Sequence, residues 1–125
     1  MSGAGRGVGL ALVEMPRFRA VLERRGERML ARIFSPAELA YAKRKKTGWQ
    51  NLAARFAAKS AGRAALRSAL GRTLPLAALE VARKRSGEPL LVLRDAVPAE
   101  PLVLFLSLTH DPDFALASVW VEARA

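Results

Sequence analysis

The stretch RFAAKSAGRAALRSALG, residues 55–71, decides the fold. It has the composition of a long helix, and Gly71 is placed to end it. Eight alanines fall between Leu52 and Leu70, so the predicted helix, from about Trp49 to Leu70, carries little bulk. Such a helix lets a neighbouring backbone or a ligand come close. Tight packing of a central helix is the favoured reading. One feature stands out inside it: Lys59 followed by Ser60 in a field of alanines.

Upstream, GVGLALV (7–13) has the apolar density of a buried strand. Pro16 then suits the first turn of a helix, where its missing N–H costs nothing. That helix carries Phe18, Val21 and Leu22 on one face and Arg17, Arg24 and Arg25 mostly on the other, and Gly26 breaks it. Ser35-Pro36-Ala37-Glu38 is a helix start, with Ser35 as cap and Glu38 able to reach back as in a capping box. The helix it opens ends in Lys43-Arg44-Lys45-Lys46, cations placed where the helix dipole favours them.

After Gly71 the period changes. Residues 79–85, 89–95, 101–109 and 114–122 read as strands, with turns at 86–89 and 111–113 and a loop at 97–99. Helices followed by strands with tight turns argue an α+β fold with an antiparallel sheet. The 125 residues, 51% hydrophobic, suffice for a single domain spanning 1–125.

Net charge is +10, unevenly spread. Residues 1–72 hold 16 Lys/Arg and 4 Asp/Glu, giving +12, whereas 73–125 hold 5 and 7, giving −2. The basic half calls for an anionic partner or ligand. Nucleic acid fits poorly, because the aromatic residues sit in apolar patterns and are not interleaved with the cations. There is no cysteine, hence no disulfide or thiolate metal site. With no signal peptide and no apolar run of membrane-spanning length, the expected location is the cytoplasm, away from membranes.

Three blocks in order, GVGLALVEMPRF (7–18), RFAAKSAGRAALRSALG (55–71) and SLTHDPDFALA (107–117), together with RIFSPAELAYAKRKK (32–46) and SGEP (86–89), resemble the holo-acyl-carrier-protein synthases, the small phosphopantetheinyl transferases. The resemblance runs nearly the whole length. It implies an α+β fold with an antiparallel sheet on a long central helix, a homotrimer with sites between subunits, and transfer of 4′-phosphopantetheine from CoA to a serine of apo-acyl carrier protein, releasing 3′,5′-ADP. It implies a catalytic role for Lys59. It assigns CoA contacts to Arg55, Lys59, Arg63, Gly87, Pro89, Ser107 and His110. Arg17, with Arg24 and Arg25 beside it, is set against the acidic carrier protein.

The family also uses Mg²⁺, held by an Asp of the first strand and the Glu after the helix lysine. Those positions are Ala11 and Ser60 here. Glu14, three residues on, belongs to the opposite strand face, and Asp111 or Asp113 could replace the missing acids only if their turn folds inward. The family's second helix lysine falls at Ala64, with Arg63 one residue earlier. Its glycine-lysine-proline turn is Gly87-Glu88-Pro89. The expectation is a synthase-family protein with weak or lost transfer. The alternative is a catalytically degenerate module that binds CoA or a carrier protein.

Overall fold

The computed structural model describes residues 5–94 and 102–123. Strand β1 (Arg6–Glu14) leads directly into α1 (Met15–Ile33), followed by α2 (Pro36–Lys43) and the long α3 (Gly48–Leu70). Strands β2 (Leu79–Arg83) and β3 (Pro89–Leu93) form a hairpin, and β4 (Leu102–His110) and β5 (Phe114–Ala123) form another. The strands divide into two antiparallel sheets, a three-stranded one ordered β1-β5-β4 and the two-stranded β2-β3. The anticipated loop at 97–99 lies outside the described residues.

Alternation along β1 explains the small residues of α3. Gly7 and Gly9 face the helix, and a Cβ on either would overlap the carbonyl oxygens of Ala65 and Ala61 respectively. Strand backbone therefore lies directly on helix backbone. Only glycine on one side and alanine on the other permit that approach. On another side of α3, a Cβ at Gly62 would run into the Leu91 side chain of the β2-β3 hairpin. The central helix is thus sandwiched, and Ala53, Ala57, Ala58, Ala61 and Ala65 are fully buried. Packing, not a ligand, accounts for the alanines.

The helix boundaries follow local chemistry. In α1, Gly26 adopts φ 69°, ψ −157°, which breaks the helix as anticipated. The capping box at α2 is formed: Glu38 N donates to Ser35 Oγ at 3.1 Å and Ser35 N donates to Glu38 Oε1 at 2.8 Å. Gly71 closes α3 in the left-handed conformation.

Two strand expectations need correcting. β2 stops at Arg83 instead of 85, because Gly87 N donates to the Lys84 carbonyl and the chain turns there. β1 is buried on one face only. Val8, Leu10 and Leu12 point outward and are 59–70% exposed in the single chain. Across the register, Val8 and Leu12 oppose Trp120 and Leu116, and Trp120 also opposes Phe105. With Leu10 and Phe114 these side chains make a largely apolar sheet face, in which Ser107, Ser118 and Thr109 are the polar members.

Candidate active site

Lys59 does not lie on an open helix face. Its ammonium is fully buried and donates to Glu38 Oε1 at 2.7 Å, while Glu38 Oε2 accepts from Val81 N at 2.8 Å. With the Ser35 N–H, one carboxylate therefore satisfies donors from three places: the cap of α2, the middle of α3 and strand β2. Burial pulls the Lys59 pKa down, and the hydrogen bond and charge of Glu38 only partly restore it. Lys59 also lies 5.2 Å from the Phe34 ring centre. Arg63, one turn further along α3, is half-buried where Lys59 is fully buried. Glu38 was read from sequence only as a capping residue. Its second role joins residues 21 and 43 positions apart, which no local pattern records.

One turn before Lys59, Arg55 is 5% exposed and stacks on Tyr41, its guanidinium carbon 4.4 Å from the ring centre. Three further cations surround that ring: Lys45 at 5.1 Å, Arg83 at 5.4 Å and Arg44 at 5.8 Å. Burial raises the phenol pKa, but Arg83, Lys45 and Arg55 together outweigh it and hold Tyr41 below its ordinary value. Arg55 Nε is buried without a hydrogen-bond partner. Arg83 also donates to the Gly87 carbonyl at 2.8 Å, which ties the β2-β3 turn to the cluster. Pro89 faces Arg83 in the register. Arg55, Gly87 and Pro89, named from sequence, thus share a neighbourhood. Arg83, Lys45 and Tyr41 are additions that only the fold brings there. Glu88, an anion in this turn, lies 3.6 Å from Lys84, so part of its charge is answered locally.

Ser107 and His110 sit elsewhere in the single chain. Ser107 opposes Ser118 on the outer sheet face, and His110, at the end of β4, lines a cavity of about 300 Å³ with Leu12, Phe114 and Leu116. Among the described residues no hydrogen bond or ion pair joins either to Arg55, Lys59 or Arg63. Asp111 is exposed at the following turn, where its carboxylate accepts from Asp113 N and Phe114 N, both at 2.8 Å. Those two backbone bonds, Phe114 first, lower its pKa. The turn does not fold inward, and Asp113 is exposed too. Glu14 is exposed on the face opposite Ala11, as strand alternation requires. No group of three or more potential His, Cys, Asp or Glu metal ligands occurs among the described residues.

A second surface lies on α1. A groove of about 330 Å³ has Phe18, Val21, Met29, Ile33 and Phe56 as apolar lining and Arg17 and Glu14 at its edge. A neighbouring cavity of about 420 Å³ shares Val21 and Met29 and is bounded by Arg25, Arg28 and Arg32. Of the arginines named from sequence, Arg17 and Arg25 border these grooves and Arg24 is exposed nearby on the same helix. Arg28 and Arg32 join them because Gly26 redirects the second half of α1.

A small α+β domain with a glycine-bearing strand packed on an alanine-rich helix is the architecture of the phosphopantetheinyl transferases that it superposes on. The sequence matches the 4′-phosphopantetheinyl transferase superfamily over residues 7–118, and the chain belongs to that family. Among its relatives, the holo-[acyl-carrier-protein] synthase of Solibacter usitatus is 36% identical over 121 residues, covering 93% of this chain and 97% of that one. The synthase of Koribacter versatilis matches equally, 36% over 121 residues. Among solved structures, the synthase–CoA complex of Chronobacterium ammoniagenes superposes with a TM-score of 0.80 at 29% identity, covering 96% of this chain and 98% of that one. The Bacillus anthracis synthase in complex with CoA (3′,5′-ADP) gives 0.76 at 27% identity, covering 94% and 96%.

Proposed function

We propose that this chain acts as a holo-acyl-carrier-protein synthase of reduced rate. The reaction is attack of a carrier-protein serine oxygen on the β-phosphorus of CoA. The phosphorus–oxygen bond to the 3′,5′-ADP part breaks, 3′,5′-ADP leaves with that bond's electron pair, and the serine proton passes to solvent water. The observation that carries the reading is the cation cluster at Tyr41, with the buried unpartnered Nε of Arg55, in a chain whose relatives include synthases solved with CoA. Such a cluster suits a phosphate-rich ligand. Arg55, Arg63, Gly87, Pro89, Ser107 and His110 form the CoA contacts. Lys59 acts from below as a positioning residue: its bond to Glu38 fixes the helix turn that presents Ser60 and Arg63.

The acidic carrier protein docks on α1. The apolar groove takes an apolar stripe of the partner, and Arg17, Arg24 and Arg25 meet its carboxylates. The functional form is a homotrimer. The number three comes from the family resemblance, and support for association is the outward face where Val8, Leu10, Leu12, Phe105, Phe114, Leu116 and Trp120 are all exposed in the single chain. A trimer seam on this face also brings Ser107 and His110 of one subunit toward the phosphate cluster of the next.

Mg²⁺ does not fit the donor set. Such ions are held by carboxylates and substrate oxygens, and the relevant side chains are a methyl at Ala11 and a neutral hydroxyl at Ser60. Charge developing on the pyrophosphate is therefore met by the protein's own cations without a metal, and a reduced rate is expected. A mass-spectrometric assay of apo-carrier protein with CoA tests the function. Slow gain of the phosphopantetheine mass supports it. Carrier binding without any gain favours the alternative, a CoA- or carrier-binding module.

A further inference from the structure

The neutral pair at Ala11 and Ser60 has a specific setting. β1 runs across α3 so that Gly7 meets Ala65 and Gly9 meets Ala61. The next inward residue, Ala11, falls two strand residues further on, which places it level with the Ala57–Ser60 turn. Ala11 and Ser60 are each half-buried, and Glu14, the one acid of β1, lies on the strand face opposite Ala11. Arg63 stands three residues beyond Ser60, on an adjoining part of the same helix surface. It is half-buried and makes no ion pair or hydrogen bond with the described residues. In the family pattern two carboxylates, a divalent ion and the second helix lysine sum to +1. Here Ala11, Ser60 and Ala64 are neutral and the Arg63 guanidinium alone supplies the same +1.

We infer that this site keeps its net charge through Arg63 and without a metal, so that a pyrophosphate-bearing ligand of the CoA class binds through fixed protein cations alone. The inference rests on the proposed CoA site and deepens it. An arginine supplies permanent charge and a planar donor fork suited to phosphate oxygens. With no carboxylates beside it, the bound pyrophosphate needs no bridging ion to offset their repulsion.

The test is calorimetric titration of the full chain with CoA, in Mg²⁺ and again in EDTA, beside titrations with Mn²⁺ alone. The expected result is a CoA affinity that changes less than about threefold on chelation, because the charge–phosphate attraction is carried by protein groups, and that weakens as salt rises. Arg63→Ala is expected to weaken CoA by about tenfold or more in both buffers, the scale of losing one charged hydrogen-bonded partner. Its half-exposed helical position leaves folding intact, which circular dichroism verifies. Mn²⁺ alone is expected not to bind. Ala11→Asp with Ser60→Glu should create Mn²⁺ binding and make CoA affinity metal-dependent. CoA binding by the parent chain that disappears in EDTA overturns the inference and leaves the CoA site standing. Unchanged affinity in Arg63→Ala overturns it as well. Absence of CoA binding in both buffers overturns the CoA site itself and the inference with it.

Discussion

The Lys59 ammonium and the Glu38 carboxylate meet at 2.7 Å with neither side chain reaching water beyond 1% exposure. Breaking a buried pair leaves one uncompensated charge, typically at a cost of about 3–5 kcal/mol. Glu38→Ala should therefore destabilise the chain by roughly that amount, since it also orphans the Val81 and Ser35 N–H groups. In the cycle with Lys59→Met, the double variant should lose clearly less than the sum of the two single losses. Urea unfolding of the four proteins checks this. Strict additivity would remove the pair from the account.

Tyr41 is the single tyrosine of the chain, so its phenol can be titrated by ultraviolet absorbance without interference. Burial opposes ionisation, but Arg83, Lys45 and Arg55 outweigh it, and the midpoint is expected below the ordinary value of 10.0. Arg83→Ala should move it back up. A midpoint at or above 10.0 in the parent chain would contradict the cation cluster.

Asp111 caps its own turn through Asp113 N and Phe114 N, and its pKa is lowered by those bonds. A carboxyl with a depressed folded-state pKa stabilises above its unfolded value of 3.8, and that contribution is lost as pH falls through the lower, folded value. Asp111→Asn keeps an acceptor oxygen but cannot titrate. The melting temperature of the parent should therefore fall relative to Asp111→Asn as pH drops below 3.8. Parallel melting curves across that range would show that the turn carries no titrating contribution.

The outward apolar face predicts self-association, and light scattering at micromolar concentration is expected to give the mass of the proposed trimer. Replacing Leu10 and Trp120 with lysine should give monomers that keep their helical content, because both side chains point away from the α3 core. A monomeric parent chain would contradict the trimer and any site that spans subunits.

Local signals were legible in the sequence. Ser35 and Glu38 announced the start of α2, Gly26 the break in α1, and Gly71 the end of α3, because each acts within a few residues. The alternation of β1 placed Ala11 and Glu14 on opposite faces. Contacts between distant elements were not legible. Nothing near Lys59 indicates that Glu38 will meet it, and nothing near Tyr41 indicates that Arg55 and Arg83 will gather there. The split into two sheets was hidden because both hairpins have similar strand composition. The apolar run 7–13 has the composition of a buried strand and does not reveal that its outer face is exposed in the single chain, since the alternation of core and surface disappears when both faces carry apolar residues.

We propose a synthase of the phosphopantetheinyl transferase family that works slowly because Ala11 and Ser60 replace its acidic pair. It is tested most directly by the transfer rate to apo-acyl carrier protein, measured with CoA and Mg²⁺ for the parent chain and for Ala11→Asp with Ser60→Glu, beside a carboxylate-bearing relative. The account predicts a parent rate about 10²–10³ below the relative, the scale of losing one preorganised charge stabiliser. It also predicts that the double restoration gains more than either single change, because the two groups act as one unit. A parent rate within about tenfold of the relative, set against that expected loss, would contradict it.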